Sequence, residues 1–131
     1  MSVQDRFVLA LEHYEKALER LREVLAENET DFIRDALIKR FEFTFETAWN
    51  AMYRWLRVRD VKIAQEAFEV IPRAFNAGLI TDDAGWTEMR KSRNLTSHAY
   101  TEEKAVAIAA FVREKGISLF DTLAARLRQD A

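Results

Sequence analysis

Leu37-Ile38-Lys39-Arg40-Phe41-Glu42-Phe43-Thr44-Phe45-Glu46-Thr47-Ala48-Trp49-Asn50-Ala51-Met52-Tyr53-Arg54-Trp55-Leu56 places apolar side chains around most of a helix. Leu37, Phe41, Ala48, Met52 and Trp55 form one row, and Ile38, Phe45, Trp49 and Leu56 form a second. The polar residues Glu42, Glu46, Asn50, Tyr53 and Arg57 recur at helical spacing and make only a narrow stripe. A helix this broadly apolar is buried on several sides. The pattern predicts a helix from roughly Phe32 to Val58, central in a bundle and also set against another subunit. A four-helix unit of this size has difficulty covering it alone.

The flanking segments read as helices too. Upstream, Phe7, Leu11, Tyr14, Leu18, Leu21 and Leu25 form a heptad seam, with Glu12, Glu15, Glu19, Arg22 and Glu23 on the outer faces. Asn28-Glu29-Thr30-Asp31 interrupts that seam and supplies a cap for the next helix. Downstream, a shorter helix is predicted over Ala64 to Ala77, ending at Gly78, a residue suited to the left-handed position after a helix. Pro72 falls inside its apolar pattern of Phe68, Ile71 and Phe75, and should kink that helix or mark its start. Thr81-Asp82-Asp83 caps a helix carrying Trp86, Met89, Arg90 and Arg93, and Thr101-Glu102-Glu103 caps the last one. In that last helix Ala105, Ile108, Ala109, Val112, Phe120, Leu123 and Leu127 are the expected core, and Gly116 implies a bend or a close contact. Three glycines and one proline in 131 residues leave few tight turns. The expectation is therefore an all-α fold: one domain over residues 1–131, with no internal repeat.

Composition narrows the functional classes. A net charge of −2 argues against a general polyanion binder, so DNA is not an expected partner and any RNA contact must come from a local patch or an assembly. The absence of cysteine removes disulfides and thiolate metal sites. Met1-Ser2-Val3-Gln4-Asp5-Arg6 lacks the layout of a secretory signal, and no uncharged run approaches a membrane span. The expected location is the cytoplasm, without membrane association.

Chemistry concentrates in Arg93-Asn94-Leu95-Thr96-Ser97-His98-Ala99-Tyr100. Arginine brings a permanent cation with forked donors that suit phosphate, and histidine exchanges a proton near neutral pH. Tyrosine adds a hydroxyl and a stacking face. Arg93 and Ser97 are four apart and share a helix face, whereas His98 lies further round. For Arg93, His98 and Tyr100 to converge, the helix must end near Ser97, and the cap at Thr101 requires such a break. The same run also reads as a plain helix end, with His98 bonding the last carbonyls. Glu42 and Glu46, an i, i+4 pair on the buried helix, suit acid–base chemistry or ion pairs with arginines of a neighbouring helix. His13 stands among Glu12, Glu15 and Lys16 with no evident partner. The two histidines lie in unrelated segments and no glycine-rich phosphate loop is present, so no metal, no cofactor and no ATP site of the chain's own is expected.

Lys39-Arg40-Phe41-Glu42-Phe43-Thr44-Phe45-Glu46-Thr47-Ala48-Trp49 resembles the signature helix of the nucleotidyltransferase substrate-binding proteins. Ala74-Phe75-Asn76-Ala77-Gly78-Leu79-Ile80, Trp86-Thr87-Glu88-Met89 and the Arg93–Tyr100 run follow in the family's order, so the likeness covers Asp31 to about Ala105. That family lies in the HEPN group with the HepT-type toxins. The resemblance implies an antiparallel up-and-down four-helix bundle with an additional short helix, dimerising through helix faces, with assembly beyond the dimer left open. It implies a separately encoded minimal nucleotidyltransferase (MntA-like) as partner. Arg93 and His98 would carry metal-independent RNA cleavage, supported by Asn94, Ser97, Glu42 and Glu46, and the partner would add AMP to Tyr100 to silence it. The alternative is a non-enzymatic subunit that binds substrate or nucleotide for the nucleotidyltransferase. Pro72 departs from the family pattern, in which the helix more often continues.

Overall fold

In the computed structural model the structure describes residues 1–97 and 101–131. Every regular element among the described residues is a helix: α1 (Val3–Leu25), α2 (Asp31–Val58), α3 (Ala67–Asn76), α4 (Asp83–Thr96), α5 (Glu102–Phe111) and α6 (Ile117–Gln129). A π-helical turn, Val112–Gly116, joins α5 to α6. No helix among the described residues is long and apolar enough to cross a membrane.

The helix starts are set by local chemistry. Ser2 and Asp5 close a reciprocal capping box at α1, and the Thr30, Asp82 and Thr101 side chains accept from backbone N–H groups at the starts of α2, α4 and α5. Two helix ends share one device. After α3, Gly78 has φ +80° while its N–H reaches Phe75 C=O and the Leu79 N–H reaches Ala74 C=O. After α2, Asp60 at φ 60° plays the same part, with bonds from Asp60 N–H to Arg57 C=O and from Val61 N–H to Leu56 C=O.

α1 and α2 form an antiparallel hairpin, and α6 lies along α1 in the opposite sense. Tyr14 donates to Phe120 C=O at 2.6 Å, Gln4 donates to Asp130 C=O at 3.2 Å, and Arg22–Asp121 and Arg128–Glu15 ion pairs run up the same seam. Phe120 is the centre of the core. Its ring lies 6.3 Å from Tyr14 of α1, 6.2 Å from Phe41 of α2 and 6.0 Å from Trp86 of α4, so one side chain ties four helices together.

The apolar rows of α2 are buried at Leu37, Ile38, Phe41, Phe45, Ala48, Met52, Trp55 and Leu56, whereas Trp49 of the second row is only half-buried, like the Glu42–Arg57 stripe. Two expectations are corrected, the start and the buried face of α3, and of the two roles open to Pro72 one is removed. α3 begins at Ala67 rather than Ala64, after an irregular stretch from Val61 to Glu66. Pro72 does not mark its start but sits in the second turn, where it removes the bond to Phe68 C=O. The buried face of α3 is Val70, Ile71 and Ala74, which turns Phe68 and Phe75 outward. The close contact that Gly116 implied in the last helix is present, at a π-turn that interrupts it. At the π-turn the Ile117 N–H reaches Val112 C=O, and Gly116 lies where a Cβ would come within 3.3 Å of the Phe111 ring.

Candidate functional site around Arg93

Arg93 stands in the last turn of α4, and Ser97 closes that helix. Its guanidinium is oriented from two directions. Nε donates to Glu46 Oε1 at 3.3 Å, and Nη1 lies 3.3 Å from Glu42 Oε2, so both carboxylates of α2 face it. From its own helix end, Nη1 also donates to Thr96 Oγ1 at 2.9 Å and Ser97 Oγ at 2.8 Å. The i, i+4 spacing of Glu42 and Glu46 puts two acceptors on one ridge of α2, and α4 delivers the arginine to it.

Glu46 is itself positioned. Trp49 donates from Nε1 to Glu46 Oε2 at 2.8 Å, so one carboxylate bridges indole and guanidinium. The Arg93 side chain is only 20% exposed and that of Glu42 23%, which strengthens their pairing relative to a surface contact. Thr96 returns its hydroxyl hydrogen to Arg93 C=O at 2.7 Å. The Nη2 side of the fork has no hydrogen-bond partner among the described residues. An arginine held by Nε and Nη1 keeps a directed donor edge for an anion.

The structure thus brings together Arg93, Ser97, Glu42 and Glu46. Asn94 is exposed on the same end of α4, beside them. His98 and Tyr100 lie outside the described residues. Sequence reading did not pick out Thr96 or the link from Trp49 to Glu46. The i, i+3 step from Arg93 signals the first, and the i, i+3 step from Glu46 to Trp49 signals the second. His13 is exposed on α1 and takes no part in this cluster. Phe68, Arg90 and Lys91 join Asn94, Arg93 and Trp49 around a cavity of about 440 Å³.

Comparison with known proteins agrees with this arrangement of helices. The profile of the family described as nucleotidyltransferase substrate binding protein like matches residues 9–129. A curated relative from Haemophilus influenzae, "Probable ribonuclease HepT", is 36% identical over 77 residues, which is 56% of this chain and 53% of the relative. The match thus spans about half the length of that relative. A protein of Thermus thermophilus known from its crystal structure is 34% identical and superposes with a TM-score of 0.75, covering 88% of this chain and 98% of its own.

Proposed function

The chain belongs to the nucleotidyltransferase substrate binding protein like family, and from that membership we propose that it is a HepT-like HEPN protein: a metal-independent ribonuclease silenced when a partner nucleotidyltransferase adds AMP to Tyr100. The observation that carries this reading is the restrained Arg93, held by two carboxylates and two hydroxyls five positions before His98 in the chain.

The chemistry is attack of a ribose 2′-oxygen on the adjacent phosphorus with departure of the 5′-oxygen. It needs a base for the 2′-hydroxyl proton, an acid for the leaving oxygen and a cation beside the charge that develops on phosphate. One chain holds a single histidine in this run. A two-fold dimer of single-domain up-and-down four-helix bundles, with α3 as the additional short helix, supplies two copies of Arg93 and His98 to one cleft, one imidazole per proton transfer. Dimers of dimers would be compatible with it. AMP on Tyr100 adds negative charge and bulk beside that cleft and opposes a second phosphate.

The test is purified protein incubated with RNA in the presence of a chelator. Cleavage by the wild type, its loss in His98→Ala and Arg93→Ala, and AMP on Tyr100 after co-expression with the partner are the expected results. RNA left intact by the wild type would remove the ribonuclease. The family's own description favours a second reading, in which the same cleft holds substrate or nucleotide for a separate catalytic subunit. AMP transfer to an added small molecule, with Tyr100 unmodified, would select it.

A further inference from the structure

Phe68 is one of the large apolar side chains, with Phe32 and Phe43, that the fold leaves exposed, and of these three it is the one that lines the cavity beside Arg93. It lies at the start of α3 and is 60% exposed, although the apolar spacing of its helix points to a core residue. It looks into the cavity of about 440 Å³ that Trp49 of α2 and Arg90, Lys91, Arg93 and Asn94 of α4 also line. Neither Arg90 nor Lys91 makes an ion pair among the described residues, whereas Arg93 is held by Glu42 and Glu46. Three cations against two carboxylates leave the wall positive in a chain that is acidic overall.

Flat aromatic faces beside unpaired cations match one class of ligand. A nucleotide presents an apolar π-face and a polar edge, joined to a phosphate. A bare phosphate would leave the aromatic wall unused, and an apolar molecule would leave Arg90 and Lys91 unanswered. A base-paired duplex hides its base faces. We infer that this cavity is a nucleotide subsite, with the base stacked on Phe68 over the Trp49 side of the pocket and its phosphate on Arg90 and Lys91. The Asn94 amide offers a donor and an acceptor to the base edge. The inference rests on the RNA-handling reading of Arg93, and it assigns the unpaired nucleotide next to the cleaved linkage to this pocket. A free nucleotide has the same chemistry and is distinguished below.

The experiment measures binding of a short single-stranded 2′-O-methyl RNA, which resists cleavage, by fluorescence anisotropy. The proteins are wild type, Phe68→Ala, Phe68→Tyr and the Arg90→Gln/Lys91→Gln double variant. Phe68→Ala should weaken binding at least about five-fold, the size of one lost stacking contact. Phe68→Tyr should retain it, and an oligonucleotide with abasic sites should bind wild type and Phe68→Ala alike. The double variant should lower the slope of log affinity against log salt by about 1. RNA bound at least about ten-fold more tightly than AMP identifies a strand as the ligand, and the reverse order identifies a free nucleotide; in either case loss of binding in Phe68→Ala is what places it in this pocket. The subsite is overturned if Phe68→Ala binds RNA and AMP as wild type does. It is also overturned if affinity falls only in step with loss of oligomer in sedimentation, because the ring is then an interface contact. The two readings fail separately. Phe68-dependent binding to RNA that wild type never cuts removes the ribonuclease and leaves the subsite. Cutting and binding unaffected by Phe68→Ala remove the subsite and leave the ribonuclease.

Discussion

At the scale of single residues, two neighbouring side chains in the core separate packing from hydrogen bonding. Phe120 contacts aromatic rings from three other helices and is fully buried. Truncating it to alanine leaves a cavity that no one helix can close, and the expected loss in urea unfolding is about 3–5 kcal/mol. Tyr14, equally buried, donates its hydroxyl hydrogen to Phe120 C=O. That carbonyl also belongs to the backbone ladder of α6, so Tyr14→Phe removes one bond without stranding an acceptor. The expected cost is about 1 kcal/mol. Burial pushes the Tyr14 phenol well above its ordinary value, so it stays protonated and a donor throughout the neutral range. Equal losses from the two variants would mean that the bond, rather than the aromatic cluster, holds α6 to α1.

At the scale of elements, the ends of α2 and α3 are the same motif built with different residues. The left-handed position is Asp60 after α2 and Gly78 after α3. A side chain costs about 1 kcal/mol or more in that conformation, somewhat less for aspartate. Asp60→Gly should therefore raise the urea midpoint, and Gly78→Ala should lower it by a larger amount. Gly78 has open space where a Cβ would go, so the predicted loss is backbone strain rather than a clash. The elements also differ in how plainly they can be read. The caps at Thr30 and Thr101 and the stop at Gly78 are carried by residue types with one dominant local use. The π-turn is not, because the spacing of Ile108, Val112, Phe120 and Leu123 suits an uninterrupted helix equally well. What sets the turn apart is tertiary: Arg113 donates to Leu25 C=O at 2.9 Å and to Glu29 at 3.1 Å, and Gly116 lies against Phe111 and Met89.

For the molecule as a whole, two carboxylates join distant parts of the chain. Glu29, in the loop between α1 and α2, accepts from Arg34 of α2 at 3.0 Å and from Arg113 of the π-turn at 3.1 Å. Desolvation pushes its carboxyl up, but hydrogen bonds and charge from Arg113 and Arg34 outweigh that and hold it below its ordinary value of 4.5. Asp130 accepts from Trp55 at 2.8 Å, Arg126 at 2.6 Å and Arg59 at 3.0 Å, and the Trp55 and Arg126 bonds hold it below its ordinary 3.8. For both groups the native pKa is the lower one. Their stabilisation is thus complete above the unfolded values and is lost as pH falls through the native ones. The thermal midpoint should drop on acidification below about pH 4.5, and Glu29→Gln should flatten that dependence. An unchanged slope in Glu29→Gln would assign the acid sensitivity to other carboxylates.

Read alone, the chain determined its helices and the burial of α2, because apolar periodicity and capping residues act over a few neighbouring positions. It also marked Arg93 and Ser97 as one polar helix face, and Glu42 and Glu46 as a pair suited to arginines of a neighbouring helix. Only the tertiary structure decided that these four converge, because the 47 positions from Glu46 to Arg93 are spanned by the packing of α4 on α2. The same holds for α3. Its local pattern placed Phe68 inside, but the site of α3 on α2 selected Val70, Ile71 and Ala74 for burial and turned Phe68 toward the cavity. Short-range rules choose the elements, whereas the faces they present are chosen by whichever docking buries the most apolar surface for all helices at once.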